Sequence, residues 1–518
     1  MNKILIDTTF LAAANTLKLA CEKIYNNQNS IEIIAEKLKN FELDKILFIN
    51  KKDLTSELEQ VCRQYNISIE YPEIEIKNYK DLLNALNILV GKNNIDNIIL
   101  LYADYIFVDT DKINSMLKLH NSNLTEYTFG ENYVTGLVPE ILSADFLKKI
   151  IEYDLKKPDI LSRRVFDNTT ADINKFFIEV DIAEVDFSIK RIELTANSKR
   201  NIKLLKNILQ YSHPSKSYIE IYNTINKHPE VLHIFPKYVE IEITNRCNMR
   251  CSFCPRQLMT RQEQDMNFEL YKKIIDELTE NYDDIIVAYS LFGEPLLHPE
   301  FKNFVKYTIE NSNIFSLIIE TNAVLMTDDM IKFLSAFPPD KLIIIFGVDA
   351  IKPETYEKIR ISNDNKNLFS TVKTNIEKFL TFNDINKYRS FIQILKLKDN
   401  FLEIEDFYNY WKKFTDNIII QKYNNYINQL PDKSITDLTP LDRLPCWHLQ
   451  RDLEIFSNGT VPLCKQIIND TNIIGNLNNE KIIDIWNKLK TPFRDNYHTD
   501  FNKINICRKC DEWYTYNF

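Results

Sequence analysis

Glycine is the scarcest signal in this chain: seven occur in 518 residues, against roughly 7% in ordinary usage. Glycine tolerates positive φ and close backbone approach at little cost, so the few retained are expected where another residue would fail. The segment Ile6–Asn15, which follows an apolar run, has none, and that excludes a glycine-rich loop cradling phosphates there. Long apolar runs are also missing. None reaches the roughly 18 residues that read as a membrane-spanning helix. No long basic run tracks a nucleic-acid backbone, and the net charge is −9 with a pI near 5.5. Both argue against non-specific binding of nucleic acid. What is present is ordinary, with 44% hydrophobic and 26% charged residues. A chain of this length predicts two to four domains at roughly 100–200 residues each.

Cysteine is neither scarce nor evenly spread. There are nine, at positions 21, 62, 247, 251, 254, 446, 464, 507 and 510. The number is odd and the spacing is not that of a secreted disulfide framework. Lys18 and Asp7 break the lipoprotein-signal pattern that Leu19-Ala20-Cys21 would close, so the chain is expected in the cytoplasm. Clustered cysteines in a reducing compartment are metal ligands more often than disulfides. Cys21 and Cys62 stand alone in helical contexts and read as buried fillers.

The pattern along the chain is α/β. In residues 1–212, Lys3–Asp7, Lys45–Ile49, Asn97–Tyr102 and Arg191–Thr195 read as strands. Ser56–Tyr65, Tyr79–Leu89, Lys112–His120 and Arg200–Gln210 read as helices. Pro214, Pro229 and Pro236 make residues 213–237 read as a linker. A second series, 238–430, opens at Val239–Ile243. Strands are expected at Asp284–Leu291, Leu317–Thr321, Lys341–Val348, Phe391–Leu397 and Asn417–Gln421, with helices at Phe268–Glu280, Glu300–Asn311 and Asp328–Ala336. Repeated strand–helix units predict a complete or partial parallel barrel, with an open doubly wound sheet as the alternative. From about residue 431 the pattern turns irregular and the cysteines return.

Cys247, Cys251 and Cys254 have the spacing C-x3-C-x2-C directly after the strand at Val239–Ile243. A turn there lets three thiolates converge. Three thiolates can hold three irons of a [4Fe–4S] cluster and leave the fourth open to a substrate or cofactor. Zinc in a structural site wants four ligands, and the fourth would have to come from a remote residue such as His233.

The run Glu240-Ile-Glu-Ile-Thr-Asn-Arg-Cys247 through Pro255-Arg256 resembles the signature of radical S-adenosylmethionine (SAM) enzymes. In that family the open iron chelates SAM, and one electron cleaves the sulfonium to give a 5′-deoxyadenosyl radical. The resemblance implies a partial (β/α)6 barrel and carries over several residues. Phe253 would pack near the adenine. Gly293-Glu294-Pro295 matches the element that receives the SAM ammonium group. Gly347-Val348-Asp349-Ala350 matches the segment near the ribose, with Gly347 where a hydroxyl residue is usual. Arg360, in Pro353-Glu-Thr-Tyr-Glu-Lys-Ile-Arg360, would pair with the SAM carboxylate, for which a guanidinium is suited.

Cys446, Cys464, Cys507 and Cys510 form a second set, with Asn458-Gly459 reading as a tight turn between the first two. Spacing alone leaves zinc and a [4Fe–4S] cluster both open. The pattern of Cys446, Gly459 and Cys464, with Ile474-Gly475-Asn476-Leu477 and Ile485-Trp486 after it, resembles the SPASM/twitch extension of radical SAM barrels. The resemblance implies a small cysteine-rich α+β domain over 431–518 with one auxiliary cluster ligated by all four cysteines. Full ligation would leave no open iron and favour electron transfer or structural support.

The N-terminal 212 residues resemble sugar-nucleotide cytidylyltransferases at Ala103-Asp104, Asp109, Tyr127-Thr-Phe-Gly130 and Thr135-Gly136. Asp104 matches that family's metal-binding acid, and Arg191–Thr195 its closing strand. Without the glycine loop, the resemblance implies a nucleotidyltransferase-like fold that has lost transfer. The whole order resembles the spirochaete "spiro-SPASM" proteins. The expectation is therefore a radical SAM enzyme acting on a peptide, protein or carbohydrate-related substrate. It would be served by a reducing donor of flavodoxin or ferredoxin type, with no membrane or nucleic-acid partner. A non-catalytic iron–sulfur electron carrier and a zinc-stabilised binding protein are the alternatives.

Overall fold

The computed structural model describes residues 1–152 and 175–515, which fall into two compact units, Met1–Leu232 and His233–Phe518. The first unit is built on seven strands: β1 Asn2–Asp7, β2 Asp44–Phe48, β3 Ile67–Glu70, β4 Asn97–Tyr102, β5 Tyr127–Glu131, β6 Glu140–Ser143 and β7 Ile178–Ile182. Their order is β3-β2-β1-β4-β6-β5-β7. β1 to β4 are parallel to one another, while β6 runs antiparallel to both β4 and β5. Ile4, Leu5 and Ile6 are consecutive and fully buried, as expected for a parallel strand covered on both faces. Side-chain caps start the helices: Asn29 with Glu32 closes a capping box before Ser30–Leu38, and Asn78, Asp109 and Ser198 accept first-turn amides.

Two expectations need correction here. Arg191–Thr195 is not a strand. Arg191 sits at φ 53 after the 3-10 turn Ser188–Lys190, and the backbone is tied singly, Leu194 N–H to the Thr135 carbonyl and Ala196 N–H to that of Asp104. Leu194, Thr195 and Ala196 are buried all the same, so their apolar pattern reports burial without a ladder. Residues 213–237 are more than a linker. They carry the helix Tyr218–Lys227, which Ser217 and Glu220 start with a reciprocal cap. The Tyr218 N–H also donates to Asp109 within the same unit at 2.8 Å.

The second unit contains β8 Tyr238–Ile241, β9 Ile285–Tyr289, β10 Ile314–Thr321, β11 Leu342–Gly347, β12 Ser390–Lys396, β13 Ile418–Lys422, β14 Asp452–Ile455, β15 Thr460–Pro462 and β16 Ile473–Asn476. The large sheet has the order β13-β12-β11-β10-β9-β8-β14 and is parallel throughout. A doubly wound sheet reverses its strand order at a switch point. From β8 to β13 the order never reverses, which is the barrel arrangement. β14, from the cysteine-rich C-terminal stretch, pairs beside β8, and β15 and β16 form a separate antiparallel pair.

The two faces of this sheet differ. Val239, Ile241, Val287, Leu317, Ile344 and Ile392 join the main core with the helices, whereas Tyr238, Ala288, Ile318 and Ile345 form a small cluster on the other face. Side chains alternate between faces along a strand, so the second face is the inside of the barrel. Among the described residues no helix is long and apolar enough to cross a membrane.

Candidate active site

The cysteine loop leaves β8 at the carboxyl end of the parallel sheet, where α/β folds bind ligands. It is held by its backbone. Arg250 N–H donates to the Ile361 carbonyl and Ser252 N–H to that of Ile359, both at 2.8 Å. The Asn363 side chain donates to the Cys247 carbonyl at 2.8 Å. Arg246 grips Asp265 through Nε and a terminal nitrogen at 3.0 and 2.6 Å. The three thiols are thereby fixed without a disulfide. Burial pushes Cys247 and Cys251 up to about 12 and Cys254 up to about 11. A thiolate in such surroundings needs a positive partner, which iron supplies. The donor set fits an iron–sulfur cluster.

Gly293 explains itself by its neighbour. A Cβ there would run into the Thr244 carbonyl, so only glycine lets the loop after β9 pass against the loop after β8. Glu294 N–H then donates to the Arg246 carbonyl at 2.8 Å. The buried Glu294 carboxylate accepts from Thr321 Oγ1 at 2.7 Å, Asn322 N–H at 2.8 Å and Leu296 N–H at 3.2 Å. Burial raises its pKa, and these three donors oppose the rise. Pro295 starts the short 3-10 turn that follows. The tripeptide therefore ties the carboxyl ends of β8, β9 and β10 together.

Asp349 and Arg360 meet each other. Asp349 sits at φ 63 and is fully buried. Its Oδ2 accepts from Arg360 Nε at 2.8 Å and a terminal nitrogen at 2.7 Å, while Oδ1 takes the Leu395 N–H at 2.7 Å. The guanidinium lies 5.5 Å from the centre of the Phe253 ring. It also fills the space a side chain at Gly347 would need, which is the physical reason for glycine there. Both Asp349 and Arg360 act electrostatically on Cys251, and Glu294 acts on Cys247. The residues expected around SAM thus gather about the triad.

The second set is assembled from distant segments. Cys446 N–H donates to Asn496 at 2.7 Å, the Cys507 carbonyl accepts from Arg443 at 2.6 Å, and Cys510 Sγ accepts the Glu512 N–H at 3.4 Å. Cys464 follows the turn at Gly459, where φ is 83. Burial raises all four thiols, and Cys507 and Cys510 add to the rise at both Cys446 and Cys464. Among the described residues no three His, Cys, Asp or Glu side chains close on one point as a single metal ion requires.

Residues 241–407 match the radical SAM superfamily, and residues 446–511 match an iron–sulfur cluster-binding domain, SPASM. The chain carries a radical SAM domain followed by a SPASM domain. That pairing implies a [4Fe–4S] cluster with SAM at the first site and iron–sulfur binding at the second. An uncharacterised protein of Treponema pallidum (strain Nichols) is 28% identical over 366 residues, covering 68% of this chain and 98% of that one. The tungsten-containing aldehyde ferredoxin oxidoreductase cofactor-modifying protein of Pyrococcus furiosus is 35% identical over 115 residues, 22% of this chain and 31% of that protein. A solved cytidylyltransferase from Leptospira borgpetersenii has a TM-score of 0.35 at 19% identity, covering 44% of this chain and 95% of that one.

Residues outside the expected set also reach the radical SAM domain's interior. Glu320 and Glu454 lie on its inner face and Lys465 beside the second set. Their signal in the sequence is a charge set inside an apolar run, as in Ile318-Ile-Glu320 and Asp452-Leu-Glu454-Ile.

Proposed function

We propose that the chain cleaves SAM reductively at a cluster held by Cys247, Cys251 and Cys254 and takes hydrogen from a peptide, protein or carbohydrate-related substrate. The bound cluster and SAM supply the one-electron chemistry; the chain binds, orients and shields them. The observation that carries this reading is three half-buried thiols on one loop, ringed by Glu294, Asp349 and Arg360. Glu294 sets the loop after β9 against the loop after β8, so its backbone carbonyls can receive an ammonium group. Arg360, anchored on Asp349, keeps the remaining guanidinium N–H groups for a carboxylate, and Phe253 offers a ring face for a base. Cys446, Cys464, Cys507 and Cys510 hold one auxiliary cluster. A flavodoxin- or ferredoxin-type donor supplies the electron, in the cytoplasm.

In the first unit, nucleotidyl transfer has been lost. The loop after β1 has folded into the short helix Thr9–Ala13, and the N–H groups of Thr9, Ala12 and Asn15 already donate to Asp7, Thr8 and Ala12. A phosphate cradle would need such groups unspent. The test of the main reading is formation of 5′-deoxyadenosine and methionine from SAM by anaerobically reconstituted protein with dithionite. Iron-bearing protein that makes neither would leave the electron-carrier alternative standing.

A further inference from the structure

The inner face of the barrel sheet is mixed in character. Tyr238, Ala288, Ile318 and Ile345 form an apolar cluster on it. On the same face β8, β10 and β14 present carboxylates: Glu240 and Glu454 level with Ala288 and Ile318, and Glu320 one pleat nearer the carboxyl ends, level with Ile345. Glu240 and Glu454 are register partners on adjacent parallel strands, which sets them about 4.8 Å apart along the sheet. Like charges so placed repel. One ammonium, that of Lys465, acts on all three carboxylates. The other cations nearby are engaged: Arg261 with Glu242, Arg360 with Asp349, Lys422 with Glu512, and Arg451 and His448 with Asp452.

This layer lies between the two cysteine sets. Glu320 feels Arg360 from the triad end, Lys465 follows Cys464, and Tyr426 is influenced by Cys254, Glu240 and Glu320 together. Glu320, Lys465 and Tyr426 are enclosed by protein yet keep some accessible surface, which is how side chains lining an internal cavity present themselves. Two further polar atoms have no hydrogen-bond partner among the described residues: Glu454 Oε1 and Ser290 Oγ, on residues only 3% and 7% exposed. The other Glu454 oxygen takes the Lys465 backbone N–H. Ser290 follows Ala288 by two residues, just past the end of β9, and so continues the line of its inner face.

We propose that this carboxylate layer is the substrate-recognition subsite, resting on the radical SAM reading above, and that it takes a protonated amine or guanidinium. A buried carboxylate without a partner is strongly disfavoured, and a substrate cation with several N–H donors answers both the excess charge and the bare oxygens. Burial raises Glu454 and Glu240, the effect of a low-dielectric interior on a carboxylate. A bare divalent ion suits the layer less. It binds oxygens at about 2.0–2.6 Å, whereas Glu240 and Glu320 stand two strands apart, roughly 10 Å at this spacing.

The test is equilibrium binding to the full chain, anaerobically reconstituted with SAM present. The probes are Nα-acetyl-lysinamide and glucosamine, each against its uncharged counterpart, Nα-acetyl-norleucinamide and glucose. At least one amine should bind tenfold or more tightly than its counterpart, and the arm that does so tells a peptide amine from an amino sugar. Glu454→Gln should lower that affinity at least tenfold. If this variant does not fold, Glu320→Gln, at the less buried position, carries the same expectation. Equal binding of charged and uncharged probes, no binding of either amine, or amine affinity unchanged in the folded variants overturns the proposal. Formation of 5′-deoxyadenosine by the same wild-type preparation separates the two claims. Amine selectivity without it would sink the SAM reading and leave the subsite; 5′-deoxyadenosine without amine selectivity would sink the subsite alone.

Discussion

The loop after β1 and the loop after β8 start from equivalent places, the carboxyl end of a parallel strand flanked on both sides in a seven-stranded sheet. The first has coiled into Thr9–Ala13, and its N–H groups are spent on its own backbone and on Asp7. The second stays irregular. Its N–H groups are spent on a different segment, at Ile359 and Ile361, which leaves its side chains to face inward. A strand end offers a ligand site only when the loop's backbone is satisfied from elsewhere, so that its functional groups are left over. Local self-satisfaction in the first unit and remote satisfaction in the second is the physical difference between them.

The sharpest way to break the comparison is to strip the second loop. Replacing Cys247, Cys251 and Cys254 together by Ala should bring 5′-deoxyadenosine formation to background and remove about four irons per chain. A verified cluster-free variant that still makes 5′-deoxyadenosine would show the loop to be no site at all. The other cysteine set should behave differently. Cys507→Ala with Cys510→Ala should also lose about four irons, yet keep part of the SAM cleavage while conversion of the true substrate falls further; iron and zinc analysis alongside product assay reads both. Retention of full iron content would remove the auxiliary cluster from the account.

Smaller effects sharpen the contrast. Gly293→Ala forces a Cβ against the Thr244 carbonyl, so the two loops must part. A loss of SAM cleavage of about tenfold, worth about 1.4 kcal/mol in the barrier, is expected in single-turnover rates. Unchanged rates would mean that the close approach does not matter. In the first unit, burial holds His120 down to about 4, between Thr128 at 2.8 Å and Asn97 at 3.2 Å. Its folded pKa lies below the unfolded value of 6.5, so the unfolded chain binds the proton more readily. Stability is complete above 6.5 and falls as pH drops towards 4. Between pH 7 and 5.5 the loss should be roughly 1 kcal/mol, seen in urea unfolding followed in the first unit and absent in His120→Gln. The least effect is expected at the first loop itself. With CTP, Mg2+ and a panel of sugar acids and sugar phosphates, pyrophosphate release should stay at background. Turnover that Asp104→Ala abolishes would show that a glycine-free loop can still serve transfer.

What could be read from the sequence follows the range of the interactions involved. The triad was legible because its spacing and the strand before it are contained in sixteen residues, 239–254. The parallel strands were legible because burial on both faces writes continuous apolar runs, as at Ile4-Leu5-Ile6. The same cue misled at Arg191–Thr195, where burial came without a ladder. Between residues 213 and 237 the prolines drew attention from Ser217 and Glu220, whose cap was there to be seen. Arg360 and Asp349 were each named for SAM, but that they clasp one another depends on two loops meeting. Glu240, Glu320 and Glu454 come from strands as much as 214 residues apart. Their common layer exists only after the barrel has formed.

The pairing of β14 with β8 constrains how the chain can be made. The edge of β8 is the only side of that strand not covered by β9, and its partner, Asp452–Ile455, is translated more than two hundred residues later. At about 5–20 residues per second on the ribosome, that edge stands open for roughly ten seconds or longer, with its N–H and carbonyl groups unpaired. Exposed edges of this kind recruit other strands. Trimming the chain before Asp452 would make the exposure permanent, so the C-terminal stretch covers the edge of β8 in biosynthesis as well as carrying its own cysteines.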